Sequence, residues 1–179
     1  MTPVALLKRE HATTRRMLDV LLALARRVEA GADFPSGDAA AILSFFREFV
    51  EQVHHRRENL VIYPFAAMVG GEESAEIVGQ LMADHDETKL LMHSLTVFWE
   101  PNGLLPDERR SFAEVARTYA NRLLKHMEIE ERVLFPVATD IPGDEAIRLV
   151  GEFERIGVDR RSCEDWVVEL ERLEAEYID

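Results

Sequence analysis

Two short segments of the chain carry the same pattern of residues that can bind metal ions. HHRRENLVIYP at residues 54–64 and HMEIEERVLFP at residues 126–136 both contain His-x3-Glu, and both close with an aromatic residue and a proline. The histidine, the glutamate and the proline of the second copy each lie 72 residues after their counterparts. A histidine and a glutamate four residues apart project from one face of a helix, so each pair can bind the same metal centre.

An earlier histidine precedes each of these pairs. His11 in REHATTRR and His85 in ADHDETKL both follow an acidic residue, and they precede the pairs by 43 and 41 residues. The repeat predicts two copies of one helical hairpin. At about 1.5 Å per residue, the histidine of the first helix and the pair of the second helix fall at one level of an antiparallel hairpin. The predicted metal ligands are His11, His54, Glu58, His85, His126 and Glu130.

A layer of four imidazoles and two carboxylates inside a helical bundle requires a cation. Bare buried charges cost several kcal/mol each, whereas a metal pair bridged by the glutamates and completed by the histidines compensates them. Nitrogen and oxygen donors without thiolate suit iron or manganese, and zinc less specifically. Ferritin-like bundles use Glu-x-x-His pairs. Because histidine precedes glutamate by four here, we expect a different di-iron carboxylate bundle.

Glycine and proline clusters divide the rest of the chain into long helical segments. The clusters lie at residues 31–38, 70–71, 101–107 and 141–144, and they predict helices near 3–30, 38–69, 73–99 and 107–139. Asp38 and Asp107 are the expected N-caps, and Gly31 is the expected stop of the first helix. Helices 2 and 4 are each expected to kink or end at their late proline, Pro64 or Pro136.

Residues at alternating spacings of three and four predict one buried face on each helix. Helices 1 and 2 carry Leu7, His11, Thr14, Leu18, Leu21, Ala25 and Val28, and Leu43, Val50, His54, Glu58, Val61 and Phe65. Helix 3 carries Val78, Leu81, His85, Thr88, Met92, Leu95 and Trp99. Helix 4 carries Phe112, Ala116, Tyr119, Leu123, His126, Glu130, Val133 and Val137.

Residues 140–179 are predicted to form a C-terminal helical appendage. One apolar stripe is Cys163, Trp166, Leu170, Leu173 and Tyr177, and a weaker one is Ile147, Val150, Phe153 and Ile156. The appendage could cover the bundle or form a dimer contact, and the pattern does not choose between them. The predicted fold is therefore all-α: an up-down-up-down four-helix bundle over residues 1–139, built from two repeated hairpins, with this appendage.

The complete pattern resembles the hemerythrin-like HHE cation-binding domain. The resemblance covers about residues 5–138 and rests on the six ligand positions together with the Tyr-Pro and Phe-Pro that close the two segments. It implies a non-haem di-iron centre, oxo- or hydroxo-bridged, with the four histidines as imidazole ligands and Glu58 and Glu130 as bridges. Manganese and zinc are the weaker alternatives.

The chain departs from the oxygen-carrying hemerythrins at two positions. Lys89 stands where those proteins have a second histidine on the third helix, and Glu130 stands where they have an aspartate. The ligand set is instead similar to that of bacterial repair-of-iron-centres proteins, although the cysteine-bearing N-terminal domain of those proteins is missing here. Lys89 could either reach an anionic ligand at the site or extend into solvent.

Three functional hypotheses follow from this reading. The first is a di-iron enzyme or repair factor that acts on oxygen, peroxide or nitric oxide, or that delivers iron, in oxidative or nitrosative stress. The second is a non-catalytic binder or sensor of oxygen or iron, and the third is a structural bundle with adventitious metal. The expected partner is a small diatomic or peroxide ligand.

Composition excludes several other classes of function. The chain has 179 residues with 34 acidic against 21 basic side chains, and its net charge of −13 disfavours nucleic acid or an anionic membrane as partner. One cysteine, Cys163, excludes an internal disulfide framework and a multi-thiolate site. The charge at Lys8 interrupts any signal peptide, and no apolar run reaches the roughly 20 residues of a membrane span. We expect a cytoplasmic monomer or homodimer.

The remaining candidate residues have ordinary structural interpretations beside the functional ones. His55, whose repeat counterpart is Met127, is expected to face solvent or to support a ligand, and His93 is expected at the surface. Asn59 and Glu131 follow the bridging glutamates and face outward or support the ligands. The expected core residues are Tyr63, Phe135 and Tyr119, of which Tyr119 is also a candidate pocket residue, and Cys163 is expected to be a small buried hydrophobe.

Overall fold

The computed structural model describes residues 2–98, 104–139 and 141–178. Across these ranges the secondary structure is helical and contains no β-strand, which confirms the all-helical fold class. No helix within them is long and apolar enough to cross a membrane. Trp99, predicted to end the buried face of the third helix, lies outside the described residues.

The first three helices carry three of the predicted histidine positions. Helix α1 is Pro3–Glu29. Helices α2 (36–70) and α3 (72–97) are separated at Gly71, whose φ of 68° and ψ of −152° interrupt an otherwise continuous helical stretch. A positive φ favours glycine, so the predicted boundary at residues 70–71 is confirmed. The stretch comprises Ser36–Ser44, a π-helical Phe45–His54, His55–Arg57, a π-helical Glu58–Ile62, and Tyr63–Val97.

Three further helices complete the described chain. Helix α4 (106–137) consists of Pro106–Ile129, a π-helical Glu130–Leu134 and a short Phe135–Val137. Helices α5 and α6 are Gly143–Arg155 and Cys163–Tyr177.

The helix ends differ in part from the predicted caps. Gly31 follows α1 with a φ of 102°, so the predicted stop is confirmed. The predicted N-caps Asp38 and Asp107 are wrong, because Pro35 and Leu105 occupy those positions. Both aspartates instead lie in the first helical turn, where a negative charge interacts favourably with the helix dipole.

A π-helical turn precedes each of the two prolines that were predicted to disturb the helices. The turn Glu58–Ile62 comes before Pro64, and the turn Glu130–Leu134 comes before Pro136. Proline lacks an N–H group and its ring crowds the carbonyl four residues earlier, and the wider turn accommodates this. Helix α2 continues past Pro64, whereas α4 ends one residue after Pro136.

The π-helical turns also explain where the predicted buried faces fail. A π turn holds one extra residue, so the buried face of α4 moves from Val133, which is 44% exposed, to the fully buried Leu134. The earlier part of that stripe, from Phe112 to Glu130, is buried as predicted. In α5 the prediction for Ile147 is wrong, because Ile147 is 75% exposed and Leu149 is buried instead.

The hydrophobic core is divided into two clusters by a layer of polar residues. In α1, residues 17–28 belong to one cluster and residues 4–7 to the other. The same division recurs in α2, α3 and α4, and each predicted ligand lies between the two parts or at their boundary. Helix α6 packs into the first cluster through Trp166, Leu170 and Leu173, and α5 packs into the second through Leu149 and Phe153. Four helices therefore meet around a buried polar layer.

Candidate metal centre

The structure brings all six predicted ligand residues together in the polar layer. Their exposed fractions range from 0% to 5%. Within the two His-x3-Glu pairs, His54 Nε2 lies 2.9 Å from Glu58 Oε1 and His126 Nε2 lies 3.3 Å from Glu130 Oε2. The helical spacing thus places each histidine beside its own glutamate, as predicted from the sequence.

Each glutamate also reaches a histidine of the other hairpin. Glu58 Oε1 lies 3.5 Å from His11 Nε2, and its other oxygen, Oε2, lies 3.3 Å from His85 Nε2. Glu130 Oε2 lies 3.2 Å from His11 Nε2. Both carboxylates therefore stand between the two hairpins, which is the position that a bridging ligand requires.

Hydrogen bonds at the outer ring nitrogens orient three of the histidines. The Nδ1–H groups of His11, His54 and His85 donate to Glu131 at 2.8 Å, to Glu10 at 2.7 Å and to Asn59 at 3.0 Å, respectively. An acceptor at Nδ1 holds the proton there and leaves a lone pair on Nε2. All three Nε2 lone pairs then point into the polar layer, where a metal ion would bind.

These supporting residues follow the same internal repeat as the ligands. Glu10 and Asp84 each precede the first histidine of a hairpin, and each faces Nδ1 of the second histidine, with Asp84 Oδ2 at 3.8 Å from His126 Nδ1. Asn59 and Glu131 each follow a central glutamate, and each faces the first histidine of the opposite hairpin. Of the two positions predicted for Asn59 and Glu131, the supporting one is correct.

Arginines neutralise the three supporting carboxylates. Arg57 donates to Glu10, Arg15 donates to Glu131 at 2.8 Å, and Arg122 donates to Asp84 at 2.8 Å. The hydrogen bond from His11, followed by that from Arg15, outweighs burial and lowers the pKa of Glu131 to about 2. The supporting groups therefore stay ionised as hydrogen-bond acceptors at neutral pH.

The inner donor atoms fit metal ions better than they fit one another. In the described part of the chain, four inner atoms have no hydrogen-bond partner: His11 Nε2, both oxygens of Glu58 and Glu130 Oε2. His85 Nε2 and His126 Nε2 face each other at 2.9 Å. Neighbouring ligands around an ion with bonds of about 2.1 Å lie about 3 Å apart, close to the separations observed here.

The donor atoms form two groups that share one glutamate. The first group is His11, His54 and Glu58, and the second is His55, Glu58, His85 and His126. Glu130 adds a second carboxylate between the same hairpins. A shared carboxylate between two sets of imidazoles suits a pair of ions, so the residues present fit the predicted metal pair.

The electrostatics of the layer favour positive charge at its centre. Burial alone would lower the pKa of His54, but Glu58 and Glu10 outweigh it and raise that pKa to about 9. Burial likewise opposes the carboxylates around His11, yet Glu130, Glu131 and Glu58 raise its pKa well above 6.5. Metal ions would supply this positive charge in place of protons, so metal binding is expected to release protons.

His55 contributes to the site although the sequence predicted it less directly. Its side chain is buried and stacks on His85 with ring centroids 3.8 Å apart and an angle of 14°. Burial, followed by repulsion from His85, lowers the pKa of His55 well below 6.5, so its ring is neutral. Nε2 of His55 has no partner among the described residues and belongs to the second donor group. The solvent-facing alternative for His55 is wrong.

Tyr63 is a second residue that the sequence placed only in the core. It is buried, as predicted, but its hydroxyl donates to Glu130 Oε1 at 2.8 Å and lies 3.3 Å from His85 Nε2. Its repeat counterpart Phe135 stacks on His11 in the same way that Tyr63 stacks on His85. The exchange of phenylalanine for tyrosine between the two copies was the signal available in the sequence.

The other candidate residues lie outside the polar layer. Lys89 and His93 are exposed, so the solvent-facing interpretation of each is correct. Tyr119 is a core residue that packs edge-to-face on Phe46 at 5.1 Å. Cys163 is partly exposed rather than fully buried, and its sulfur lies 3.4 Å from the Thr13 hydroxyl.

Comparison with known proteins identifies one family. The model of the hemerythrin HHE cation binding domain matches residues 2–138, a range that includes both His-x3-Glu segments and all six predicted ligands. No curated protein and no solved structure shows a significant match to the chain.

Proposed function

The chain belongs to the hemerythrin HHE cation binding domain family, and on that premise we propose that it binds two iron ions in the buried polar layer. The ligands would be His11, His54, His85 and His126, with Glu58 and Glu130 as bridges. The observation that carries this proposal is that both carboxylates stand between the hairpins and face inward-pointing imidazole nitrogens. Manganese and zinc are the alternatives that this donor set allows.

The proposed arrangement of the helices is the up-down-up-down bundle of two repeated hairpins, with α5 and α6 as the appendage. Two observations support it. The repeat of 72 residues extends to the two π-helical turns, and the supporting residues Glu10 and Asp84 occupy equivalent places in the two hairpins.

We propose that the centre handles oxygen, peroxide or nitric oxide, with a role in oxidative or nitrosative stress or in the repair of iron centres. An iron pair would supply redox change and coordination positions open to a small ligand. The two hydrophobic clusters on either side of the layer limit access of water to it. The alternative is a non-catalytic binder or sensor of oxygen or iron.

The chain places polar groups unequally on the two sides of the layer. Tyr63 holds its hydroxyl proton against Glu130 Oε1, and His55 stacks on His85, whereas Phe135 and Met127 occupy the equivalent positions on the other side. Tyr63 therefore supplies the hydrogen-bond donor nearest to the carboxylate oxygens. We propose that the small ligand is handled on this side, beside Tyr63.

The test is to mix the reduced, iron-loaded protein with oxygen, peroxide or nitric oxide and to follow its absorbance and the consumption of each reagent. Repeated turnover supports an enzyme, and reversible binding without turnover supports a carrier or sensor. Tyr63→Phe should slow the reaction by about tenfold, the effect of losing one catalytic hydrogen bond of about 1.4 kcal/mol. Tyr119→Phe is the matched control because Tyr119 is buried away from the layer. Equal rates in both variants would contradict the role of Tyr63.

A further inference from the structure

A cavity of about 380 Å³ lies next to the metal centre, between α1, α2, α5 and the segment that leads into α6. One part of its wall is apolar and is formed by Leu6, Phe49, Val53, Val150 and Phe153. Gly157, with a φ of 95°, brings the segment before α6 against Val53 and closes that side. The volume is that of a site for a small organic molecule.

The other part of the cavity wall is rich in arginine. Arg9, Arg57, Arg160 and Arg161 line it, although the whole chain carries a net charge of −13. Of the three lining carboxylates, Glu164 pairs with Arg9 and Glu10 pairs with Arg57, while Glu154 is exposed.

Two of these arginines have guanidinium groups with capacity for a ligand. The Arg160 side chain has no hydrogen bond or ion pair within residues 2–98, 104–139 and 141–178. Arg161 lies over the Trp166 ring at 3.8 Å and donates to the Asp165 carbonyl, which leaves its other N–H groups available. An apolar wall beside such groups selects an anion that has an apolar body.

We infer that this cavity binds a small organic carboxylate with an apolar chain or ring. Its carboxylate would accept hydrogen bonds from Arg160 and Arg161, and its apolar body would lie against Phe49, Val53 and Phe153. This binding site is independent of the proposed function, because none of its contacts requires a metal ion.

The cavity is also connected to the metal centre through two of its own residues. Glu10 and Arg57 both line it, and Glu10 Oε2 accepts the hydrogen bond of His54 Nδ1. Arg57 divides its N–H groups between Glu10 and the carbonyls of Phe153 and Ile156. A carboxylate in the cavity competes with Glu10 for Arg57, so its binding changes the support of His54. This regulatory consequence rests on the proposed function.

The binding site can be tested through Cys163, which lines the cavity and is the only cysteine of the chain. The measurement is the rate at which N-ethylmaleimide, a neutral reagent, modifies Cys163 in the full-length protein. Saturating octanoate is expected to slow the reaction about fivefold or more by excluding the reagent from the cavity. Octan-1-ol and octylamine, of equal chain length, should protect much less. Absence of protection by octanoate overturns the site, and equal protection by octan-1-ol overturns its preference for an anion.

Two exposed arginines provide a matched pair of variants. Arg160→Glu should abolish protection by octanoate, whereas Arg155→Glu makes the same charge change on α5 outside the cavity wall and should preserve it. Loss of protection in both variants, or in neither, overturns the assignment of Arg160. Because both residues are at the surface, the fold of each variant can be compared with that of the parent by circular dichroism.

The link to the metal centre is tested separately by the rate of iron loss to a chelator. Octanoate is expected to change this rate about threefold or more, because a hydrogen bond at a metal-binding histidine contributes about tenfold or more to affinity. An unchanged rate in protein whose Cys163 is protected overturns the regulatory link and leaves the binding site standing. Protein that binds no iron contradicts the proposed function but not the protection of Cys163.

Discussion

The hydrogen bond between Glu10 and His54 supports the metal centre from outside, and the substitution Glu10→Gln tests how much. His54 Nδ1 lies 2.7 Å from Glu10 Oε2, and both side chains are at most 5% exposed. Glutamine keeps the size of the side chain and its carbonyl acceptor but removes the negative charge. The variant therefore isolates the contribution of that charge to the basicity of His54 Nε2.

The magnitude follows from the burial of this pair. A hydrogen bond to a charged group contributes about 1.5–3 kcal/mol and a neutral one about 0.5–1.5 kcal/mol, so the expected loss is about 1.4 kcal/mol. This loss corresponds to an iron affinity about tenfold weaker than that of the parent. Because the pair is buried, salt should screen the effect only slightly.

The assay is competition for iron between the protein and a chelator of known affinity. Glu128→Gln is the matched control, since it removes one charge from an exposed pair with Arg132 on α4 and should change affinity less than twofold. If Glu10→Gln binds iron within twofold of the parent, Glu10 does not tune His54 and the reasoning fails. An equal loss in Glu128→Gln would attribute the effect to net charge alone.

Three further predictions concern stability, measured by urea unfolding. Leu134→Ala should cost about 2–5 kcal/mol, whereas Val133→Ala should cost less than about 0.5 kcal/mol, and the reverse order would contradict the shifted face of α4. Gly71→Ala should destabilise the protein by about 1 kcal/mol because of its positive φ, while Gly79→Ala, in an open helical position, should be neutral or stabilising; equal effects would refute the role of Gly71. The pKa of Glu131 is lowered from 4.5 to about 2, so its stabilisation is complete above pH 4.5 and is lost as the pH falls towards 2. After allowance for solvent screening, the advantage of the parent over Glu131→Gln should shrink by about 1 kcal/mol over that window, and a constant difference would contradict the assignment.

The repeat made the central residues of the site predictable from the sequence. The histidines and glutamates recur at a spacing of 72 residues, and helical geometry alone requires each His-x3-Glu pair to share a face. The same regularity explains why the two buried clusters and the boundary at Gly71 agree with the predicted elements.

The residues that were missed depend on departures from regular helical winding and from the repeat. His54 and His55 would point about 100° apart in a regular α-helix, but His54 ends a π-helical segment and both side chains are buried. Val133 was misplaced for the same reason, because a π turn adds a residue that periodicity does not register. The role of Tyr63 depends on a contact with Glu130 from another helix, which no local pattern encodes.

The central claim is most directly tested by the metal content of the protein, purified without chelators, together with its optical spectrum. We expect about two iron ions per chain and the charge-transfer absorption of a bridged ferric pair. Glu58→Ala should lose most of this iron, because Glu58 stands between the two donor groups, whereas Glu128→Ala should retain it. Stoichiometric zinc, no bound metal, or full iron content in Glu58→Ala would contradict a di-iron centre at this site.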